Sequence, residues 1–276
     1  MSVPMLFRSA WEELRRRPQL WMLAFWYLFV NSGVQLLVAD RLAPQLPAWL
    51  RHPSPALFQH PLPALPPGLA VKLVLVFLSF LLILLPFSTA GLYGGAAAVL
   101  KNEPGTGIWT FWRYAVREFW RGLGFEVLLV LTLAVVSGLL AGISALFGVA
   151  GQAAGLLAVF EILAMIVVIA VLALWFAATL YALGAVFYGL EAPLKAFGAA
   201  WSWTLRHVGP AWQTAVLFLT LAIGAWIVTA ILALIPVLGG FLAIALSALV
   251  LDFLAVLGPA LFTAASRPGE PPRADV

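Results

Sequence analysis

The sequence predicts an all-α polytopic membrane protein, and three observations carry that expectation. Of 276 residues, 64% are hydrophobic and 9% charged, where a soluble domain carries roughly a quarter. The charges avoid long tracts: no basic residue stands between Arg121 and Lys195, and the sole charge between Arg206 and Arg267 is Asp252. The apolar runs are also continuous. Barrel strands alternate over about ten residues, whereas a spanning helix needs about 20 apolar residues in succession. A soluble enzyme, a disordered chain and a disulfide-stapled secreted module are excluded. With no cysteine in the chain, thiol nucleophiles and Cys-ligated metals are excluded as well.

Six segments are long enough to span: Gln19–Val38, Leu69–Leu100, Gly124–Val149, Gly155–Tyr188, Ala211–Ile235 and Gly239–Ser266. Met1–Arg17 has no apolar core followed by a small-residue cleavage site, so the first span is read as uncleaved. The second and fourth segments exceed 30 residues and must tilt, protrude or break. Pro86 with Ser88, Thr89 and Gly91 marks a break in one, and Gly184 with Gly189 in the other. Such a break is either a packed kink or part of a transport site. Ala134, Gly138 and Gly142 on the third span, and Gly239, Ala243 and Ser247 on the sixth, form small-residue ridges suited to close helix contact.

Orientation follows from Lys and Arg. One set of connections holds Arg8, Arg15, Arg16, Arg17, Lys101, Arg113, Arg117, Arg121, Lys195, Arg206, Arg267 and Arg273. The other holds Arg41, Arg51 and Lys72. Twelve of the 15 basic residues therefore mark one side, which predicts the inner membrane with both termini cytoplasmic. The external connection Asp40–Gly68 contains eight prolines, which forbid a long helix. Its His52 and His60, without acids or cysteines, fall short of a metal site.

A unit recurs three times, over 1–100, 101–190 and 191–266, within one transmembrane domain 1–266; residues 267–276 read as a disordered cytoplasmic tail. Each unit opens with an amphipathic stretch rich in Trp and Arg, and two share Phe-x-x-Ala-Trp, ending at Trp11 and Trp201. Nine of the 12 tryptophans lie near the basic side, where indole favours the headgroup level. These stretches are predicted to be short helices in the inner interface. They either anchor the hairpins, or bind membrane lipids, anionic ones included, or an unidentified protein partner. The candidate headgroup contacts are Arg15, Arg16, Arg17, Arg113, Arg117, Arg121, Arg206, Trp112, Trp120 and Trp201.

Ionisable groups within hydrocarbon are costly and point to function. The candidates are Asp252, Glu126 and Glu161, with Asn31 and Gln213 as neutral company. At 1.5 Å per residue the three carboxylates sit at different depths, Asp252 about 20 Å from the outer end of its helix. Asp252 is expected to be protonated, or bonded to hydroxyls and amides of neighbouring helices, or to couple proton or cation movement. No hydrolase elbow, phosphate-binding glycine loop, HExxH or dinucleotide pattern is present. No catalytic residue, cofactor, metal or nucleic-acid interaction is expected.

The stretches Leu85-Pro-Phe-Ser-Thr-Ala-Gly-Leu-Tyr-Gly-Gly, Lys101-Asn-Glu-Pro, Trp109-Thr-Phe-Trp-Arg-Tyr and Ala192-Pro-Leu-Lys-Ala-Phe-Gly-Ala-Ala-Trp carry a resemblance. The chain resembles a group of bacterial six-helix membrane proteins that includes the membrane domain found beside glycerophosphodiester phosphodiesterases. The resemblance implies a fold and an envelope location, and supplies no reaction. The functional expectation is a non-catalytic protein of the cytoplasmic membrane that binds lipid or a partner through its basic inner-face helices. The alternative is a small proton- or cation-coupled transporter with a cavity near Asp252 and Pro86.

Overall fold

The computed structural model describes residues 3–45, 66–154, 157–232 and 238–266. The proline-rich stretch with His52 and His60, and the tail 267–276, lie outside the described residues. Among the described residues there is no strand, and six helices are long and apolar enough to cross a membrane. The protein is an all-α polytopic membrane protein.

The order short helix, span, span occurs three times. In the first unit α1 (Val3–Arg16) precedes α2 (Gln19–Leu42) and α3 (Pro67–Leu100). In the second, α4 (Thr110–Arg117) precedes α5 (Phe119–Ala154) and α6 (Leu157–Leu183), which runs on through a π turn at Gly184–Tyr188. In the third, α7 (Pro193–Arg206) precedes α8 (Val208–Leu232) and α9 (Leu238–Ser266). Each short helix joins its span through a break of one or two residues: Arg17-Pro18, Glu118 and His207. Pro18 has no N–H to extend the ladder of α1, and its carbonyl instead takes the Trp21 amide at 3.2 Å to start α2.

The short helices are built into the bundle on one face. Apolar residues of α1 recur every three to four positions, and Val3, Leu6, Ala10 and Leu14 are buried. Phe7 packs on Phe253 of α9 with ring centroids 5.4 Å apart. Phe111, Tyr114 and Ala115 are buried on α4, as are Phe197, Ala200 and Trp203 on α7. A helix that only rested in the interface would bury nothing in protein.

The buried core is concentrated at this basic end: Leu20–Ala24, Ala90–Leu100, Phe125, Ala177–Phe187 and Phe253–Leu261 hold most of it. Toward the other end the spans turn apolar side chains outward, including Leu36, Leu37, Leu139, Leu146 and Trp226. Hydrocarbon solvates those side chains, so nothing drives them inward.

Glycine lets backbones meet at two crossings that the ridge pattern did not single out. A Cβ on Gly122 of α5 would stand 2.4 Å from the Pro86 carbonyl oxygen of α3. One on Gly184 would stand 2.3 Å from the Gly258 carbonyl oxygen of α9. The expected ridge on the third span is corrected: a Cβ at Gly138 or Gly142 would meet nothing within 4 Å. In so apolar a chain, i,i+4 spacing of small residues is no guide to which face is packed.

The expected break at Pro86 is a change of helical register. Pro86 cannot donate to the preceding turn. The ladder widens just before it, with the Leu85 N–H reaching the Phe80 carbonyl in a π segment, Phe80–Leu84. A second π segment follows at Ala90–Gly94. At the end of α6 the Gly189 N–H reaches the Gly184 carbonyl at 3.0 Å in the same manner. π segments are rare and cluster at functional sites.

Candidate functional site

Two groups of polar residues lie at the packed end. The first is a buried seam between α2, α3 and α5. The close approach of Gly122 to Pro86 brings Glu126, one turn further along α5, against the segment between the two π turns. There the Thr89 hydroxyl donates to Glu126 Oε1 at 2.6 Å. Both residues are buried. The phenols of Tyr27 on α2 and Tyr93 on α3 lie within electrostatic range of this carboxyl. Asn31, one turn beyond Tyr27, donates its Nδ2 to the Tyr27 carbonyl at 2.7 Å. Asn31 Oδ1 and the hydroxyl of Ser88 are buried without a hydrogen-bond partner.

Asp252 occupies a separate place, fully buried at 0% exposure. Neither carboxyl oxygen has a hydrogen-bond partner, which favours the protonated or ion-coupled alternative, and the Ala24 amide of α2 faces the carboxyl. Ala24 and Tyr27 are three residues apart and share a face of α2, so that face serves both carboxyl groups. Glu161 and Gln213 are exposed on the outside of their helices and join neither group. Sequence reasoning overlooked Tyr27, for which composition and spacing carried no signal, and gave Tyr93 a place in the stretch from Leu85 but no part in a polar site.

The second group rims the basic end. Arg113 and Arg117 are exposed one turn apart on α4, beside Val116 and Trp120. Arg15, Arg16 and Arg206 are exposed as well. Trp112 is instead wedged between Trp26, Phe111 and Phe87 at centroid distances of 5.3, 5.6 and 5.8 Å, and Trp201 is half-buried against the core. Arg121 donates to the buried Glu118 at 2.6 Å. His207 stacks on Trp203 at 5.8 Å.

Arg17 is held inside the protein. Its Nε donates to Glu13 at 2.8 Å, and its Nη1 to Asn102 Oδ1 at 3.0 Å and to the Val99 carbonyl. The end of α3 needs that help because the last carbonyls of a helix have no partner within it. Its chain reversal is a Schellman motif. Asn102 stands in the left-handed region at φ 55°, with Glu103 N–H to the Ala98 carbonyl at 3.0 Å and Asn102 N–H to that of Val99 at 3.1 Å. Glu103 is thereby turned toward α4, where the Tyr114 hydroxyl donates to its Oε2. Burial, and then the Glu103 carboxylate, push the Tyr114 phenol up to about 12, so it stays a donor at neutral pH.

Between α1 and the end of α3 opens a cleft of about 530 Å³, lined by Glu13, Arg16, Arg17, Gln19, Asn102 and Glu103 among others. Among the described residues no group of three or more His, Cys, Asp or Glu could hold a metal ion. No family model, no curated protein and no solved structure matches the chain.

Proposed function

We propose that the protein is a non-catalytic component of the cytoplasmic membrane that binds anionic lipid headgroups at its basic end. Both termini are then cytoplasmic, as the placement of Lys and Arg favours. The observation that supports this reading is the outward face of α4 and its junction with α5. Arg113 and Arg117 are exposed one turn apart, while Val116 is 71% and Trp120 77% exposed beside them. In water that face would strand large apolar surface. At the headgroup level the indole and the valine enter the acyl boundary while the guanidinium groups meet phosphate. Met5 and Trp11 beside Arg8 and Arg15 on α1 repeat the arrangement. The resemblance to envelope six-helix proteins agrees with the location.

The test is the lipid retained through purification from membranes containing phosphatidylglycerol. Each basic residue near an anionic surface contributes about 1 kcal/mol. Arg113→Gln with Arg117→Gln should therefore weaken retention roughly thirty-fold. Arg121 is left intact because it makes the closer ion pair with the buried Glu118, 2.6 Å against 3.3 Å from Arg117. Unchanged retention in a folded double variant rejects the reading.

A second reading, proton- or cation-coupled transport, draws on the pair that Thr89, in the π-broken part of α3, forms with Glu126 of α5. Discontinuous helices bearing a buried carboxyl are a recurrent feature of transport sites. Proton-dependent flux in proteoliposomes, lost in Glu126→Gln or Asp252→Asn at full folded yield, would favour it.

A further inference from the structure

We infer that the cleft between α1 and the end of α3 binds a phosphate joined to a primary ammonium, the headgroup chemistry of phosphatidylethanolamine. This rests on the reading above only in placing the basic end at headgroup level; the residues and the ligand are different.

The cleft holds two acids and two bases, and their pairing leaves one of each. Arg17 is consumed by Glu13, Asn102 and the Val99 carbonyl. Among the described residues Arg16 makes no hydrogen bond or ion pair, and its side chain is exposed at the cleft. Glu103 gives one oxygen to Tyr114, and its approach to the exposed Arg117 is a loose 4.0 Å, which contributes little. One guanidinium and one carboxylate oxygen therefore remain to face a ligand. Arg16 can take a phosphate through paired N–H groups. The Nδ2 of Asn102, whose Oδ1 is held by Arg17, and the side-chain amide of Gln19 add neutral donors for the remaining phosphate oxygens. Glu103 can accept from a primary ammonium. The two acids and two bases sum to zero, so a purely anionic headgroup would meet the Glu103 carboxylate, whose one ion pair among the described residues is the loose 4.0 Å approach of Arg117. A quaternary ammonium would reach Glu103 with no N–H to donate. At about 530 Å³ the cleft is within the range of ligand sites, roughly 300–1,000 Å³, and ample for a headgroup.

Glu103 is also pre-placed. The Schellman turn at Asn102 and the Tyr114 hydroxyl fix its position before any ligand arrives, which lowers the ordering cost of binding.

The test uses the full-length protein in nanodiscs of phosphatidylcholine doped with phosphatidylethanolamine or phosphatidylglycerol, with bound lipid read by native mass spectrometry. The expected result is phosphatidylethanolamine preferred over phosphatidylcholine by ten-fold or more. Arg16→Gln and Glu103→Gln should each weaken that binding by about ten-fold, the scale of one lost charged hydrogen bond. Glu103→Gln should not weaken phosphatidylglycerol retention, because it removes no basic residue from the surface. Gln at position 103 still accepts from Tyr114, so a folded variant is expected. Soluble glycerophosphoethanolamine is titrated in parallel by calorimetry; saturable binding abolished by Glu103→Gln would keep the assigned chemistry and make a free ligand the occupant. Equal retention of ethanolamine and choline lipids, or Glu103→Gln without effect, overturns the inference. Failure of the Arg113 and Arg117 variants to change phosphatidylglycerol retention overturns the earlier reading instead.

Discussion

Gly122 and Pro86 meet backbone to backbone: a Cβ on Gly122 would lie 2.4 Å from the Pro86 carbonyl oxygen. The contact joins the third span to the second at the point where the second changes register, and it seats Glu126 against Thr89.

Gly122→Ala should therefore destabilise the protein. A carbonyl cannot yield as a flexible side chain does, so the cost is about 1–3 kcal/mol, the range of core overpacking. Gly138→Ala and Gly142→Ala, with no atom within 4 Å of the added methyl, should leave stability unchanged or raised by about 1 kcal/mol through helix propensity. Thermal unfolding in one detergent compares the three. A Gly122→Ala protein as stable as the parent would contradict the packing described.

The crossing of α6 and α9 gives an independent expectation. Gly184→Ala drives a methyl toward the Gly258 carbonyl at 2.3 Å and should reduce stability to a similar degree. Gly224→Ala, at an open position, serves as its control in the same unfolding series.

Arg17 holds α1 to the end of α3. Arg17→Gln leaves Glu13 and the Val99 carbonyl without their shared donor and should cost about 1–3 kcal/mol. Arg17→Lys should recover only part of that, because an ammonium cannot reproduce the fork that serves three acceptors. Faster proteolysis within residues 3–16 in both variants, with Gln the worse, is the readout.

Thr89→Val preserves shape and removes the donor to Glu126. A buried acceptor left without its partner costs about 1–3 kcal/mol. Thr89→Ser keeps the hydroxyl and should lie closer to the parent. Unfolding temperatures in the order parent, Ser, Val are expected, and a Val variant matching the parent would show that the hydrogen bond contributes nothing.

The Tyr114 phenol sets a pH dependence at the alkaline end. Its folded value of about 12 stands above the unfolded value of 10.0. The unfolded chain therefore releases this proton first as pH rises, and stability falls with pH between those two values. Below pH 10 this contribution is complete. Tyr114→Phe should lose the Glu103 hydrogen bond at neutral pH and lack this part of the decline between about pH 10 and pH 12. Parallel denaturation curves at pH 8, 10 and 12 separate the two.

Membrane class, the number of spans and the clustering of basic residues at one end were legible in the sequence. Each rests on a local property: hydrocarbon demands long uninterrupted apolar helices, and Lys and Arg are excluded from them residue by residue. Pro86 announced its own effect, because a missing N–H acts on the adjacent turn whatever surrounds it. The faces of the helices were another matter. Lipid and protein interiors are equally apolar, so nothing in Ala134, Gly138 and Gly142 told a lipid-facing ridge from a packed one, and Gly122 and Gly184 gave no sign of their carbonyl neighbours. The same indifference hid the partners of the polar groups. Thr89 reaches across to Glu126, Arg17 crosses to Val99 and Asn102, and Asp252 is sealed with no partner. Those pairings depend on how the helices rotate and cross, which contacts between residues far apart in the chain decide and no run of neighbouring residues encodes.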